Sequence, residues 1–373
     1  MPQNKNQHYV PQAYFRLFSN NGTHIEAYNL KRKQSFTSSI KNMCSKDYFY
    51  SKDTKIEQVL SNLEGSQDTI MRNIVSSKNF PNDPREYLIL LSFICMQHAR
   101  TETAKLRGDE SMDLLSDEIV EGLLGTSADV KLTFPVMHIL KIKIALQSIP
   151  LLGDLIPVVM INRTSKNFIF SDNPVVFHNT YLNTNTFGTL GLQSPGLQIF
   201  CPLGDKVMLM FYDRKFYSIS IRENYSLEIH DENDVEHLNE LQFLNCNATI
   251  FYSDKSQKLE VESIHDRTKH LTGKRKMKKD RIQIPDDEKG RRRELLHFYE
   301  ERPEYDLELS FVKMNKVTDV GIARNQDMVN IISKDIDKFD RAHSSKFYGM
   351  VYKIERAFKR IKFLISEKFR ATP

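Results

Sequence analysis

Residues 155–177 read LIPVVMINRTSKNFIFSDNPVVF and mark the point where helical patterns give way to strand patterns. The two apolar runs, 155–162 and 167–177, are rich in Val, Ile and Phe, which favour β-strands. The polar residues from Arg163 to Lys166 separate the runs, and this arrangement predicts a β-hairpin. A second hairpin is predicted from 197–201 to 206–212.

Helical patterns dominate before this stretch. Apolar residues recur at helical spacing over 55–77, which predicts an amphipathic helix whose polar face includes Glu64. A nearly continuous apolar stretch after Pro84 predicts a buried helix over 84–107. Further elements are predicted as helices over 113–124, 135–148 and 235–244 and as strands over 216–222, 227–229 and 248–252. This order predicts an α+β fold, with a helical N-terminal half packed on a mostly antiparallel sheet.

The composition is typical of a globular protein. Of the 373 residues, 40% are hydrophobic and 27% are charged. The first residues are polar, and no apolar run approaches the roughly eighteen residues that a membrane span needs. We therefore expect a cytoplasmic protein without a transmembrane segment, while the oligomeric state stays open.

Positive charge is concentrated near the C-terminus. The net charge is +5, but residues 273–293 alone carry ten Lys or Arg against four Asp or Glu. We divide the chain into an α+β core domain, 1–255, and a charged C-terminal region, 256–373. The latter is expected to contain a mobile basic segment over 273–293 and an amphipathic helix over 346–370, which makes the extension partly helical. Such a region could contact nucleic acid or another acidic partner, and the alternative is a C-terminal helix packed on its own domain with a solvated basic face.

A first polar cluster lies at the N-terminus, in NQHYVPQAYFRLF. Pro11 suits the first position of a short helix, on which Tyr14 and Phe15 turn towards the core. Gln12 and Arg16, four residues apart, share another side of that helix. His8 precedes the helix and can reach its N-terminal end.

A second polar cluster closes the predicted buried helix, where Gln97, Arg100 and Thr101 lie on one stripe. A buried arginine is costly unless it is paired. Its partner is either an internal carboxylate or a phosphate or carboxylate of a ligand.

A third polar cluster, residues 171–174, interrupts an apolar strand with the sequence SDNP. Asp172 and Asn173 before a proline favour a turn, because their side chains bond to the nearby backbone. The alternative is an acid presented at a strand end for catalysis or metal binding. Local sequence leaves both interpretations open.

Together these motifs resemble a family. HYVPQ, QHART and FSDNPVV, followed by CPLGDK and LNELQFLNCNATIFYS, are similar to a bacterial domain-of-unknown-function family recognised by an N-terminal HYVPQ motif. The resemblance covers roughly residues 6–253 and implies no activity. Where family members have a proline after Arg-Thr, this chain has Glu102.

Our first hypothesis is a hydrolase that acts on phosphodiesters, as a nuclease or nucleotide phosphodiesterase. His8 would be the general acid or base, Arg100 would stabilise charge, and Asp172 would be a base or a ligand of Mg²⁺ or Mn²⁺. The expected substrate-binding residues are Gln12, Arg16, Gln97, Thr101 and Asn173.

The alternative hypothesis is a non-catalytic sensor or binding module for a small anionic ligand or nucleic acid. A third interpretation is structural, because buried polar groups generally satisfy one another. The sequence has no P-loop, GxGxxG, HExxH or nucleophile elbow, which leaves nucleotide hydrolysis by a P-loop, dinucleotide redox chemistry and zinc proteolysis without support. Convergence of His8, Arg100 and Asp172 on one cleft would favour the hydrolase.

Overall fold

The computed structural model describes residues 6–50, 54–124, 137–183, 189–271, 275–286, 290, 292–321 and 323–325. Its helices are α1 (Gln12–Arg16), α2 (Thr54–Ser77), α3 (Pro84–Arg100), α4 (Glu102–Leu124), α5 (Met137–Gln147), α6 (Glu232–Asn245) and α7 (Lys258–Thr268). Its strands are β1 (Asn6–His8), β2 (His24–Asn29), β3 (Gln34–Ser39), β4 (Ser45–Asp47), β5 (Ile156–Asn162), β6 (Phe170–Ser171), β7 (Val176–His178), β8 (Gln198–Gly204), β9 (Val207–Tyr212), β10 (Tyr217–Ile219), β11 (Ser226–Ile229), β12 (Thr249–Tyr252), β13 (Lys276–Ile284), β14 (Arg293–Glu301) and β15 (Val312–Met314).

Two larger sheets organise these elements. One has five strands in the order β11-β5-β9-β8-β7, and the other has four in the order β3-β2-β12-β6. Neighbouring strands in both are antiparallel except β11 and β5, which are parallel. The predicted α+β class with a mostly antiparallel sheet is confirmed.

Helices cover both faces of the five-stranded sheet. Helices α2, α3 and α5 share one apolar cluster with strand residues such as Val159 and Leu209. Helix α6 packs on the opposite face, where Val158 and Met160 meet Leu238. Because both faces are buried, these strands have nearly continuous apolar sequences without alternation.

The predicted hairpin over 155–177 is wrong. Strand β5 pairs with β9 and β11, whereas β6 pairs with β12 in the four-stranded sheet. The polar residues between them therefore carry the chain from one sheet to the other. A strand buried on both faces has no polar side that would fix its partner, so local sequence could not exclude this arrangement. The second predicted hairpin is confirmed as β8 and β9.

The helix predicted over 84–107 is also wrong at its end. It stops at Arg100, because Thr101 has extended backbone angles and begins a new helix. The Thr101 hydroxyl accepts a hydrogen bond from the Ala104 amide at 3.2 Å, which is an N-terminal cap. Helix α4 then runs from Glu102 and includes the segment predicted separately over 113–124.

A long hairpin occupies part of the segment that we expected to be mobile. Strands β13 and β14 pair from Lys276 with Glu301 to Ile284 with Arg293. Glutamates meet its basic residues, as where Lys279 Nζ lies 2.7 Å from Glu118 of α4. Composition suggested a linker because these partners are distant in sequence. The division at residue 255 stays a prediction, and the helix predicted over 346–370 lies outside the described residues.

Helix α1 is anchored by aromatic rings that join the two sheets. Phe15 meets Phe170 of β6 and Phe251 of β12 edge to face, with ring centroids 5.2 and 4.9 Å apart. Tyr14 packs on Phe170 at 5.3 Å, and its hydroxyl donates to the Pro202 carbonyl of β8. The N-terminal segment therefore lies at the junction of the sheets.

Replacing Phe170 by alanine should lower the free energy of unfolding by about 3–5 kcal/mol, because it empties the centre of this aromatic cluster. Urea unfolding of wild type and variant measures the change. Leu259→Ala is the control, since Leu259 is 77% exposed and its loss should cost less than about 0.5 kcal/mol. Equal effects of the two substitutions would show that α1 is not anchored there.

Candidate functional site

The backbone carbonyl of Tyr9 ties the N-terminal segment to α3. It accepts hydrogen bonds from Gln97 Nε2 at 2.9 Å and from Arg100 Nε at 3.2 Å. Strand β1 pairs with β4, which places His8 opposite Ser45. The second predicted cluster therefore meets the N-terminal segment at Tyr9, next to His8.

Arg100 is completely buried. Its Nη1 donates to Glu64 Oε1 of α2 at 2.6 Å, and its Nε also donates to Gln97 Oε1 at 3.0 Å. Burial opposes its charge, yet Tyr50 and Glu64 outweigh that effect and raise the pKa of the guanidinium. Arg100 Nη2 has no hydrogen-bond partner among the described residues. Of the two partners that the sequence left open, the internal carboxylate is present, and it is Glu64.

His8 lies beside this ion pair. Its Nε2 is 3.1 Å from the Lys41 carbonyl, which can only accept, so Nε2 carries the proton in the neutral ring and Nδ1 carries the lone pair. Burial lowers the pKa of His8, the Lys41 bond and Glu64 oppose this, and the charge of Arg100 adds to it. His8 is therefore a neighbour of Arg100, and the predicted catalytic roles of the two residues stay predictions.

Asp172 is held by backbone amides. Its carboxylate accepts from the N–H groups of Asn247, Ala248 and Thr249 at 2.8, 2.7 and 3.1 Å. Burial raises the pKa of Asp172, and these amides oppose the shift. The carboxylate thus fixes the connection between α6 and β12, which agrees with the structural interpretation of the motif. Its predicted roles as base and metal ligand stay predictions.

Thr101 and Asn173 join the second and third clusters. The Thr101 hydroxyl donates to Asn173 Oδ1 at 3.0 Å, and both side chains are buried. Gln12 and Arg16 lie apart from this network. Arg16 is exposed and donates to Gln12 Oε1 at 3.3 Å, and neither side chain bonds to His8, Arg100 or Asp172 in the part of the chain described.

The motif network continues to a cavity through Asn245. This side chain donates to the carbonyls of Asn173 and Val175 at 2.6 and 3.2 Å. Its Oδ1 accepts from Arg275 Nη1 at 2.8 Å. The SDNP turn therefore supports an arginine that lines a cavity of about 290 Å³, which we call the arginine cavity. Its walls come from β7, the chain after it, the end of α6, the β13–β14 hairpin and residues 302–305.

Glu300 lies at the wall of the arginine cavity and forms ion pairs with three arginines. Its carboxylate accepts from Arg107 Nε and Arg275 Nε at 2.9 Å each and from Arg302 Nε at 2.7 Å. Burial opposes its charge, but Arg302, Arg275 and Arg107 hold the pKa of Glu300 well below its usual range. Burial lowers the pKa of Arg302 to about 10. The charge of Arg275 adds to this decrease, and the charge of Glu300 opposes it.

Positive charge exceeds negative charge in this group. Arg107 shares its guanidinium with Glu110 at 2.7 Å, so two carboxylates face three arginines. Glu304 also lines the arginine cavity, but it is exposed and forms no ion pair with these arginines among the described residues. Arg302 Nη1 likewise has no hydrogen-bond acceptor in the described ranges.

His178 of β7 lines the arginine cavity as well. It is 9% exposed, and its Nε2 has no hydrogen-bond partner among the residues described. Burial lowers its pKa to about 4, and the charge of Arg302 adds to the shift. His178 is therefore a neutral ring with an unsatisfied nitrogen at pH 7.

Sequence reasoning missed these residues. Arg275 fell within the segment assigned to a mobile region, and Glu300 and Arg302 lie just beyond it. The run of apolar and aromatic residues in the middle of β14, RELLHFYEE, was the available signal for a strand. Nothing in the local sequence identified His178, because its position depends on the docking of the hairpin.

Fold and site together define an α+β protein with a motif network that supports a cavity lined by two arginines and two glutamates. The model of a family described as protein of unknown function (DUF4238) matches residues 6–256, so the chain belongs to that family. That the HYVPQ, QHART and SDNP motifs identify the family stays a prediction. No curated protein and no solved structure matches the chain.

Two further findings concern the described residues alone. None of the described helices is long and apolar enough to cross a membrane. No group of three or more His, Cys, Asp and Glu side chains there is arranged to hold a metal ion. The predicted Mg²⁺ or Mn²⁺ stays a prediction.

Asp172→Asn should lower the free energy of unfolding by about 1–3 kcal/mol, because an amide has one acceptor oxygen for three backbone donors. Chemical denaturation measures the loss. Asp266→Asn is the matched control, since Asp266 is 70% exposed and its pair with Lys269 should contribute little. If both variants are as stable as the wild type, Asp172 does not hold the turn.

Buried histidines should make the protein sensitive to acid. Burial lowers the pKa of both His138 and His178 to about 4, so between about pH 6.5 and 4 the unfolded chain binds protons that the folded chain does not. The free energy of unfolding should therefore decrease as the pH is lowered across this window, by up to roughly 3 kcal/mol for each histidine.

Denaturation midpoints between pH 7 and 4 measure this dependence. His178→Gln should flatten the curve, whereas His230→Gln should not, because His230 is 70% exposed. A curve that is unchanged by His178→Gln would contradict the assigned pKa shift.

Proposed function

We propose that the protein is a non-catalytic module that binds a small anionic ligand in the arginine cavity. The observation that carries the proposal is the excess of guanidinium groups around Glu300, which Arg107, Arg275 and Arg302 share, and of these Arg275 and Arg302 line the cavity. Unmatched buried charge is unfavourable, and an anion placed beside Arg302 would remove the excess.

The available donor supports a ligand rather than a purely internal contact. The guanidinium of Arg302 is part-buried, and its Nε and Nη2 hold Glu300 at 2.7 and 2.6 Å. Its Nη1 remains for an anion. Guanidinium groups suit phosphate and carboxylate because their donors match the geometry of these anions.

The phosphodiester hydrolase of the sequence analysis has less support. The catalytic role of Asp172 requires lone pairs that three backbone amides occupy. Arg100 is matched by Glu64, which reduces its charge towards a substrate. Nucleic-acid binding by the basic C-terminal region stays a prediction, since its described lysines and arginines meet glutamates such as Glu118 and Glu301.

The proposal predicts that inorganic phosphate stabilises the wild type. Phosphate at about a hundred times its Kd contributes about 2.7 kcal/mol, so Tm should rise by roughly 3 °C or more at constant ionic strength. Differential scanning calorimetry with chloride-matched buffers measures the shift.

Arg302→Gln should abolish the shift, because Glu300 keeps Arg107 and Arg275 while the excess charge disappears. Arg222→Gln is the matched control: it removes an arginine that is 59% exposed and paired with Glu228 on the surface. Equal phosphate shifts in all three proteins would place the anion outside the arginine cavity and contradict the proposal.

A further inference from the structure

The lining of the arginine cavity has two chemical parts. Arg275, Arg302, Glu300 and Glu304 form the charged part. Much of the remainder is apolar or aromatic, including Phe298, Tyr299 and Tyr305, together with Leu190 and Met277. A simple inorganic anion would contact the charged part and leave the remainder without a partner.

The apolar part is suited to a flat ring. Phe298, Tyr299 and Tyr305 are only partly buried, so they retain accessible ring surface beside the arginine cavity. Tyr305 is held in place because its hydroxyl donates to Glu240 Oε2 at 2.7 Å. Fixed aromatic side chains stack on nucleobases and improve binding by roughly tenfold or more.

His178 adds a polar requirement. Its Nε2 is buried at the lining without a partner among the described residues, although buried polar atoms normally have one. Nε2 has almost no accessible surface, so a ligand ring with its own nitrogen or N–H group would supply that partner after the His178 ring turns towards the cavity. A plain aromatic carboxylate would match the arginines and the rings but would leave this nitrogen unsatisfied.

The size of the cavity limits the ligand to one monomer. Its volume of about 290 Å³ is at the lower end of ligand pockets, which span about 300–1,000 Å³. That volume has room for one nucleotide unit and not for two.

We infer that the ligand of the arginine cavity is a nucleoside monophosphate, with its phosphate beside Arg302 and its base against the aromatic rings and His178. This inference rests on the proposed function and names its ligand class. The hairpin β13–β14 lies outside the matched family region 6–256, so the charged and aromatic contacts come from a part of the chain that the family model does not cover.

Isothermal titration of the full chain with AMP, ribose 5-phosphate, inorganic phosphate and benzoate tests the inference. AMP should bind at least tenfold more tightly than each of the other three. His178→Phe keeps a ring of similar size and should reduce AMP affinity by roughly tenfold while phosphate affinity is unchanged. Arg302→Gln should remove binding of both AMP and phosphate, and Arg222→Gln should alter neither affinity.

A measurement on the wild type avoids any dependence on the folding of variants. Saturation-transfer NMR should give stronger signals for the base protons of AMP than for its ribose protons, because the base contacts the aromatic lining. Equal signals, or equal affinity of ribose 5-phosphate or benzoate and AMP, would overturn the nucleotide inference. Phosphate binding without a gain for AMP would leave the proposed function standing, whereas no binding of phosphate or AMP would overturn both.

Discussion

The carboxylate of Glu300 connects elements that are far apart in sequence. Arg107 belongs to α4, Arg275 precedes β13 and Arg302 follows β14, and all three donate to this one side chain. The shared ion pairs hold the β13–β14 hairpin against the α+β core, and the space between hairpin and core is the arginine cavity. Together with the pair of Lys279 and Glu118, this contact brings the arginines and the aromatic residues of the lining to one place.

Three other buried charged groups in the described structure have partners, in contrast to the excess of arginines at Glu300. Arg100 faces Glu64, Asp172 is held by three amides, and Arg324 donates to Asp154 at 2.6 Å. Each of these groups joins two or more elements and explains why a polar residue is buried. At Glu300 the arginines exceed the carboxylates, so this site has an electrostatic reason to accept an anion.

Sequence patterns predicted the helices and strands more reliably than they predicted which of these elements lie next to one another. Apolar periodicity predicted α2 and the start of α3, and the strand-rich segment predicted the α+β class. Patterns failed where the deciding partner is distant: β5 joins β9 and β11, and Asp172 depends on amides about 75 residues later. The SDNP motif was singled out correctly as unusual, but local chemistry could not distinguish a turn from an acid presented to a ligand.

The candidate site was harder to predict than the fold, because more of its contacts join residues that are distant in sequence. His8, Gln97 and Arg100 come together because each lies close to Tyr9 in the fold, whereas the convergence of His8, Arg100 and Asp172 on one cleft stays a prediction. The arginine cavity could not be predicted from the sequence. A segment rich in Lys and Arg has the composition of a linker, and only the fold shows that Glu118, Glu300 and Glu301 lie beside it. Asn245 links the two regions, because it bonds to Asn173 on one side and to Arg275 on the other.

Anomalous diffraction from crystals grown with tungstate, a tetrahedral dianion like phosphate, tests the central claim most directly. The account predicts an anomalous peak in the arginine cavity, within hydrogen-bond distance of Arg302 Nη1 and on the side away from Glu300. A cavity without a peak, in crystals where Arg302 is ordered and tungstate binds elsewhere, would contradict it.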